Sequence, residues 1–403
     1  MAPEIVSAEA VVDGSMVKLR CTLSEPRADR CGFALGLVGE TLQCRECNLA
    51  GSSFDFYVDG LEPGSDYEWY AFVAAGESEL KSALQRFATE PLPPEPVAVI
   101  TDPVFKAYLV EHFDRDGDGE ISVSEALDVQ TITLNTKEVE SLEGIEYFTH
   151  LDTLVCRGVD LEHDKYYSGR PGRLRYLDLS SNTRLRRLDC DGNNIQSLIL
   201  PYSPWLEFLC CSNNLIKELD LSKLPNLRWI QAFQNSLKSL DFSESYYING
   251  IEIGENFIDS IDVTGCSMLT CLNISDLPIK ELDLSGCPHL VWLGIYGTSI
   301  TDIDLSVNTW LNYLHCFNTG IASLDLTPCP KLLELKCWDC KIEELDISML
   351  PELYLLECSP VGGKNYLTKL YVSDTQLIEG VTVNRSINNI PSETEIIIRN
   401  HTN

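Results

Sequence analysis

Leu206–Asn226 reads LEFLCCSNNLIKELDLSKLPN, and the same pattern returns every 21 residues. Aligned starts fall at Leu185, Leu206, Leu227, Ile248, Leu269, Leu290, Leu311, Leu332 and Leu353. A constant period of this length marks a solenoid, in which each coil hides its apolar side only by stacking on the next. Places 1, 4 and 6 of a coil, Leu206, Leu209 and Cys211 here, alternate along a strand and point inward. Places 2, 3, 5 and 7 then face solvent. Successive strands are expected to stack as one parallel sheet, about twelve of them at roughly 4.8 Å spacing, which gives a concave surface about 55 Å long.

Other columns follow from the same alignment. Place 9 is Asn193, Asn214, Asn235 and Asn256, which predicts a ladder of amides satisfying backbone groups at the turn. Leu277, Thr298, Thr319 and Cys340 replace it further on, so the ladder thins. Place 15 is Asp220, Asp241, Asp262, Asp283, Asp304, Asp325 and Asp346. Stacked carboxylates repel, and hydrogen bonds from a Ser or Thr two residues on, such as Ser222 or Thr264, are the expected compensation. Cys156, Cys190, Cys211, Cys316, Cys337 and Cys358 take inward place 6, and Cys266, Cys287 and Cys329 take place 19. These read as small buried hydrophobes in the core rather than a disulfide framework. On the convex side the LDLS segments predict short extended pieces with few helices.

Working back toward the N-terminus, Val129 and Leu151 open irregular coils, the second interrupted near HDKYYSGRPGR. Toward the C-terminus, Ile378 opens a further coil and EIIIRN closes the end. Upstream of the coils, Asp102 and Pro103 form a helix start, and Phe105, Leu109 and Phe113 recur on one face. DRDGDGEISVSE, Asp114 to Glu125, then has the oxygen donors and central Gly119 of an EF-hand-type loop. Ca2+ is the expected ligand, bound by Asp114, Asp116, Asp118, the Glu120 carbonyl, Ser122 and both oxygens of Glu125. The short exit helix and the lack of a partner hand make this a structural clip rather than a switch. Before it, PLPPEP is a stiff linker, and residues 1–91 show the alternation of half-buried antiparallel strands. The lone C-x-x-C, Cys44 to Cys47, lacks the second pair that a zinc site needs, and a link to Cys31 stays open if the compartment is oxidising.

The 403 residues carry 61 acidic and 30 basic side chains, a formal net charge of −31 that argues against nucleic-acid binding. No apolar run is long enough to span a membrane. The six histidines are scattered and no catalytic motif is present; Cys210 and His315 are the only surface candidates for thiol–imidazole chemistry, and they lie several coils apart. Catalysis is therefore not expected. The outward places instead collect aromatics: Phe208, Trp229, Trp292 and Tyr313 at place 3, Phe233, Tyr296, Phe317 and Trp338 at place 7, with His315 and Tyr354 nearby. Such a row is either a binding surface or a set of rings that stiffen the sheet by stacking.

Two resemblances rest on these residues. LEPGSDY, Leu61 to Tyr67, resembles the tyrosine corner of fibronectin type III sandwiches. The 21-residue repeat resembles bacterial leucine-rich repeats, and the whole order looks like that of bacterial cell-surface proteins that display a recognition solenoid. The fold expectation is mainly β: a fibronectin III-like sandwich at 1–91, a Pro-rich linker at 92–101, the helix and calcium loop at 102–128, and a parallel-sheet solenoid with a C-terminal cap at 129–403. The resemblance implies a monomeric, non-catalytic adhesion or recognition protein that is secreted or held at the surface by a lipid anchor, with a signal peptide removed ahead of Met1. Its ligand would be a protein or glycan on the aromatic face; the alternative is a passive structural spacer.

Overall fold

The computed structural model describes residues 3–91, 95–158, 171–359, 366–377, 390–391 and 393–399. Most of the insertion expected near HDKYYSGRPGR, and the coil expected to open at Ile378, lie outside them. The chain forms two compact units, Met1–Glu95 and Pro96–Asn403.

The first unit has eight strands: β1 (Ile5–Asp13), β2 (Met16–Leu23), β3 (Arg30–Leu37), β4 (Gln43–Glu46), β5 (Ser53–Val58), β6 (Asp66–Ala75), β7 (Ser78–Lys81) and β8 (Gln85–Ala88). They build two antiparallel sheets, β1-β2-β5 and β4-β3-β6, with β7 and β8 both on β6. Their alternating inward residues meet in one core. Phe33 packs between Phe54 at 5.0 Å and Trp69 at 5.8 Å, ring centre to ring centre. The Tyr67 hydroxyl accepts the Glu62 N–H at 2.9 Å, which ties the β5–β6 connection down, and its ring stacks on Phe87.

The second unit begins earlier than the linker expectation of 92–101. Ala98 N–H donates to Ile121 O (2.7 Å), Val123 N–H donates to Pro96 O (2.8 Å), and Ala98 is buried in the solenoid's core. Residues 96–98 therefore belong with the loop they pair with. Helix α1 (Pro103–Phe113) is capped by Asp102, which accepts from Val104 and Phe105, and α2 (Val123–Asp128) starts in a capping box between Ser122 and Glu125. Phe105, Leu109, Ile121 and Ala126 close the end of the same core that the coils fill.

An 11-stranded parallel sheet runs from β9 (Thr131–Asn135) and β10 (Thr153–Arg157) to Leu355–Glu357. The irregular coils join it in register, Leu154 beside Leu188. The regular strands are three residues long, places 3 to 5 of each coil, as in Phe208–Cys210 and Trp229–Gln231. Their central residues Leu209, Ile230, Ile251, Leu272, Leu293 and Leu314 form one buried row. At the opposite side, extended pieces such as Tyr176–Asp178 and Ser197–Ile199 pair in parallel, and Glu395–Ile398 ends a three-stranded sheet with Glu344–Asp346 and Lys369–Val372.

The turn columns hold the coils together. Asn214 donates to the carbonyls of Cys190 one coil back and of Cys211 and Ser212 in its own, and accepts from Ile195 N–H. Asn235 and Asn256 repeat the arrangement. Thr298 bonds to the carbonyl of Ile295 in its own coil, and Thr319 to that of Cys316 in its own coil and to Cys340 Sγ in the next at 3.3 Å. Sequence reading overlooked place 8, which takes a left-handed conformation coil after coil: Asn213, Gln234, Glu255, Asp276, Asn318 and Asp339, with Gly192 and Gly297. Polar short side chains and glycine tolerate that backbone; Gln234 and Glu255 are less suited, and their side chains bond to each other at 2.6 Å across the coils. The place-15 aspartates accept from the residue two on: Asp220 from Ser222 N–H and Oγ–H, Asp262 from Thr264 in the same way.

Candidate functional site

The strand register sets Phe208, Trp229, Gly250, Cys271, Trp292 and Tyr313 side by side, on the face opposite the buried leucine row. The candidate ring positions at place 3 thus share one surface. They do not stand free on it: of the ten ligand-face candidates only Tyr354, 43% accessible, is exposed, and the other nine are half-buried. The physical reason is that the rings lie down. Trp229 spreads over Gly250, which has no room for a Cβ, and its Nε1–H donates to Glu252 Oε1 at 3.1 Å, an atom that also accepts from Gln231. Phe233 leans over Gly254 in the same manner, and Trp292 covers Gly294 while meeting His315 edge-on at 5.3 Å. Phe208 lies under the Arg187 guanidinium at 4.0 Å.

Place 7 forms a stack. Tyr296 and Phe317 are 4.4 Å apart and nearly parallel, and Phe317 and Trp338 are 3.8 Å apart. Both faces of Phe317 are covered by its neighbours, so the stack offers mainly ring edges. Beside it Glu334 is a hub: Oε1 meets His315 Nε2 at 2.8 Å and Lys336 Nζ at 2.9 Å, and Oε2 accepts from the Tyr354 hydroxyl at 3.2 Å. Burial pushes the His315 imidazole below its ordinary pKa, with the Glu334 hydrogen bond opposing the shift. Burial raises the Glu334 carboxyl, but Lys336 and His315 hydrogen bonds outweigh it and hold it low.

Between Trp229 and Phe233 on one side and Trp292 and Tyr296 on the other, two coils carry Gly250, Glu252, Gly254, Cys271, Asn273 and Ser275 at places 3, 5 and 7. The pair of glycines in one coil was the sequence signal for this low floor, and it was not read. Cys210, expected at the surface, is only 4% exposed; burial and then Asp189 push its thiol up to about 12. It is not available for chemistry, and His315 has a carboxylate rather than a thiol beside it.

In the Asp114–Glu125 loop, carboxylate oxygens of Asp114, Asp116 and Asp118 lie within 4.8 Å of one another. The turns that gather them use Gly117 and Gly119, both at positive φ, whose N–H groups donate to Asp114. The Asp118 N–H pulls the Asp116 carboxyl down, but burial and the Asp118 and Glu125 charges raise it overall. Glu125 faces back into the loop, accepting from Arg115 N–H through Oε1 and from Ser122 through Oε2. The Glu120 carboxylate is taken by Lys106 at 2.6 Å. Ile121 and Val123 are paired by residues 96–98, Ala98 N–H donating to Ile121 O and Val123 N–H to Pro96 O.

No protein-family profile and no curated protein matches the chain. Among solved structures the chain is similar to a domain of InlJ from Listeria monocytogenes, described as including a cysteine ladder, at 26% identity and a TM-score of 0.57 over 74% of this chain. The match spans 59% of the InlJ chain's length. A Listeria monocytogenes internalin, InlF, matches at 18% identity and a TM-score of 0.56, over 77% of this chain and 100% of that one, and shares the fold. The second unit thus has the leucine-rich-repeat solenoid fold of these neighbours. Cys190 and Cys211, and Cys316, Cys337 and Cys358, stand here at one buried place on successive coils.

Proposed function

We propose that this chain is a non-catalytic recognition protein of a bacterial surface or its surroundings, and that the strand face from Phe208 to Tyr354 takes a protein ligand. The observation that carries the reading is the paired arrangement of aromatic banks, Trp229 with Phe233 and Trp292 with Tyr296, around a floor of glycine, Cys, Asn, Ser and the Glu252 carboxylate. An ordinary solubilising surface would place Lys, Glu and Ser where these rings lie, and aromatic anchors beside a polar floor suit a protein partner's side chains. At Phe317, whose two faces are covered by Tyr296 and Trp338, a protein side chain is favoured over a glycan, because sugar rings bind aromatic faces rather than edges. The internalin likeness supports a recognition role and secretion or surface display.

Protein and glycan arrays probed with the chain test this. Protein spots should bind, and Trp229→Ala or Trp292→Ala should weaken them at least tenfold with little change in unfolding midpoint. Glycan-only binding would reverse the ligand class; array binding indifferent to both substitutions would remove the face from consideration, leaving the spacer role.

We further propose that Asp114, Asp116, Asp118, the Glu120 carbonyl, Ser122 and Glu125 hold one Ca2+, which neutralises three crowded carboxylates. The oxygen-only donor set and the two positive-φ glycines fit that ion. Titration calorimetry of chelator-treated protein should give one site, lost in Asp116→Ala and Asp118→Ala; no heat at millimolar calcium would refute it.

A further inference from the structure

The first unit contains three inward thiols that neither the recognition face nor the calcium loop uses. Cys21 on β2, Cys31 on β3 and Cys47 just beyond β4 adjoin in its core, whereas Cys44 is exposed. The β3–β4 register pairs Gly32 with Glu46 and Ala34 with Cys44. One step outward, Cys31 stands opposite Cys47, whose N–H donates to Cys31 O at 2.8 Å. The Cys31 Sγ already reaches across the strands, 3.3 Å from Cys47 O. Beside the pair, Gly32 lies so close under the Arg45 carbonyl that no Cβ would fit, so the two strands are pressed together here.

We infer that Cys31 and Cys47 are a covalent cross-link site, joined as a disulfide whenever the protein meets a thiol-oxidising small-molecule disulfide. Directly opposed residues in an antiparallel pair have Cα atoms about 4.5–5.5 Å apart, inside the 4.4–6.8 Å range that a disulfide spans. Cys44 is opposite Ala34 on the outward side and is not in position to reach Cys31. Cys21 belongs to the other sheet, and packed sheets stand about 10 Å apart, beyond that range. The chemistry balances as two exchanges. The Cys47 thiolate attacks the oxidant's S–S bond and releases one small thiolate; the Cys31 thiolate then attacks Cys47 Sγ and releases the second. Two protons leave, the oxidant is reduced to two thiols, and the protein loses two hydrogens.

The bond would matter most for β4, four residues long and exposed throughout, which forms the edge of its sheet. An unfastened edge strand frays and offers its free backbone to other chains. The cross-link closes the 16-residue step between Cys31 and Cys47 and holds that edge in place.

The test uses the full chain equilibrated in oxidised glutathione, blocked with an alkylating reagent, digested without reductant and mapped by mass spectrometry. A peptide pair linking Cys31 to Cys47, two hydrogens lighter than the sum, is the expected product, with Cys44 alkylated. The melting transition of residues 1–95 should rise by roughly 5–20 °C on oxidation, in the wild type and in Cys44→Ser but not in Cys47→Ser. A Cys44–Cys47 or Cys21–Cys31 link, or quantitative alkylation of Cys31 and Cys47 after oxidation, would overturn the assignment.

Discussion

Asn235 shows how much a single side chain does in this fold. Its amide donates to the carbonyls of Cys211, Ala232 and Phe233 and accepts from Ile216, so it serves the preceding coil besides its own turn. Asn235→Ala leaves those buried backbone groups unpaired and should cost about 2–4 kcal/mol, read as a lower urea midpoint at unchanged slope. Thr298→Ala, which frees one carbonyl, should cost about 1 kcal/mol by the same measure. Equal losses would mean that the inter-coil bonds add nothing. The asparagines were legible because an amide at a constant place repeats. The ring positions were half legible: their shared face follows from the period of two along a strand, but their reclining over Gly250, Gly254 and Gly294 depends on what the adjacent coil leaves empty.

Among elements, the place-15 column sets the response to acid. Asp262 is held below its ordinary pKa first by the Thr264 hydroxyl and then by its N–H, and Asp220, Asp283 and Asp325 likewise by the hydroxyl two residues on. For Asp241 and Asp304 the backbone N–H of Ser243 and Ser306 leads. A carboxyl with a depressed folded pKa stabilises the fold above the unfolded value near 3.9 and loses that contribution as pH falls through the folded value. Solenoid stability should therefore hold from neutral pH down to about 4 and fall below it, with the urea midpoint at pH 3 well under that at pH 6. A midpoint indifferent to pH across that window would show that the hydrogen bonds merely offset neighbour repulsion. The Asp114–Glu125 loop belongs to the same scale. Its donors were visible in DRDGDGEISVSE, but its partner strand was not, since residues 96–98 carry no motif and are recruited only by the unpaired backbone of Ile121 and Val123.

At the level of the whole molecule, two cores with no buried residue in common imply two melting events. Scanning calorimetry should resolve a smaller transition for residues 1–95 and a larger one for the solenoid, and removal of the proposed Ca2+ should move only the second, because Phe105, Ile121 and Ala126 sit in its core. A single transition that shifts as one with calcium would show the units to be energetically fused. The period of 21 was sufficient for the solenoid, the inward leucine and cysteine columns and the asparagine ladder, since each is a one-dimensional repeat written coil by coil. Pairings between distant stretches came only with the folded chain: Cys31 against Cys47, residues 96–98 against Ile121 and Val123, Trp229 against Gly250, and Cys210 sealed from solvent. Such contacts depend on register and on the volume of a neighbour, which no local pattern of residues encodes.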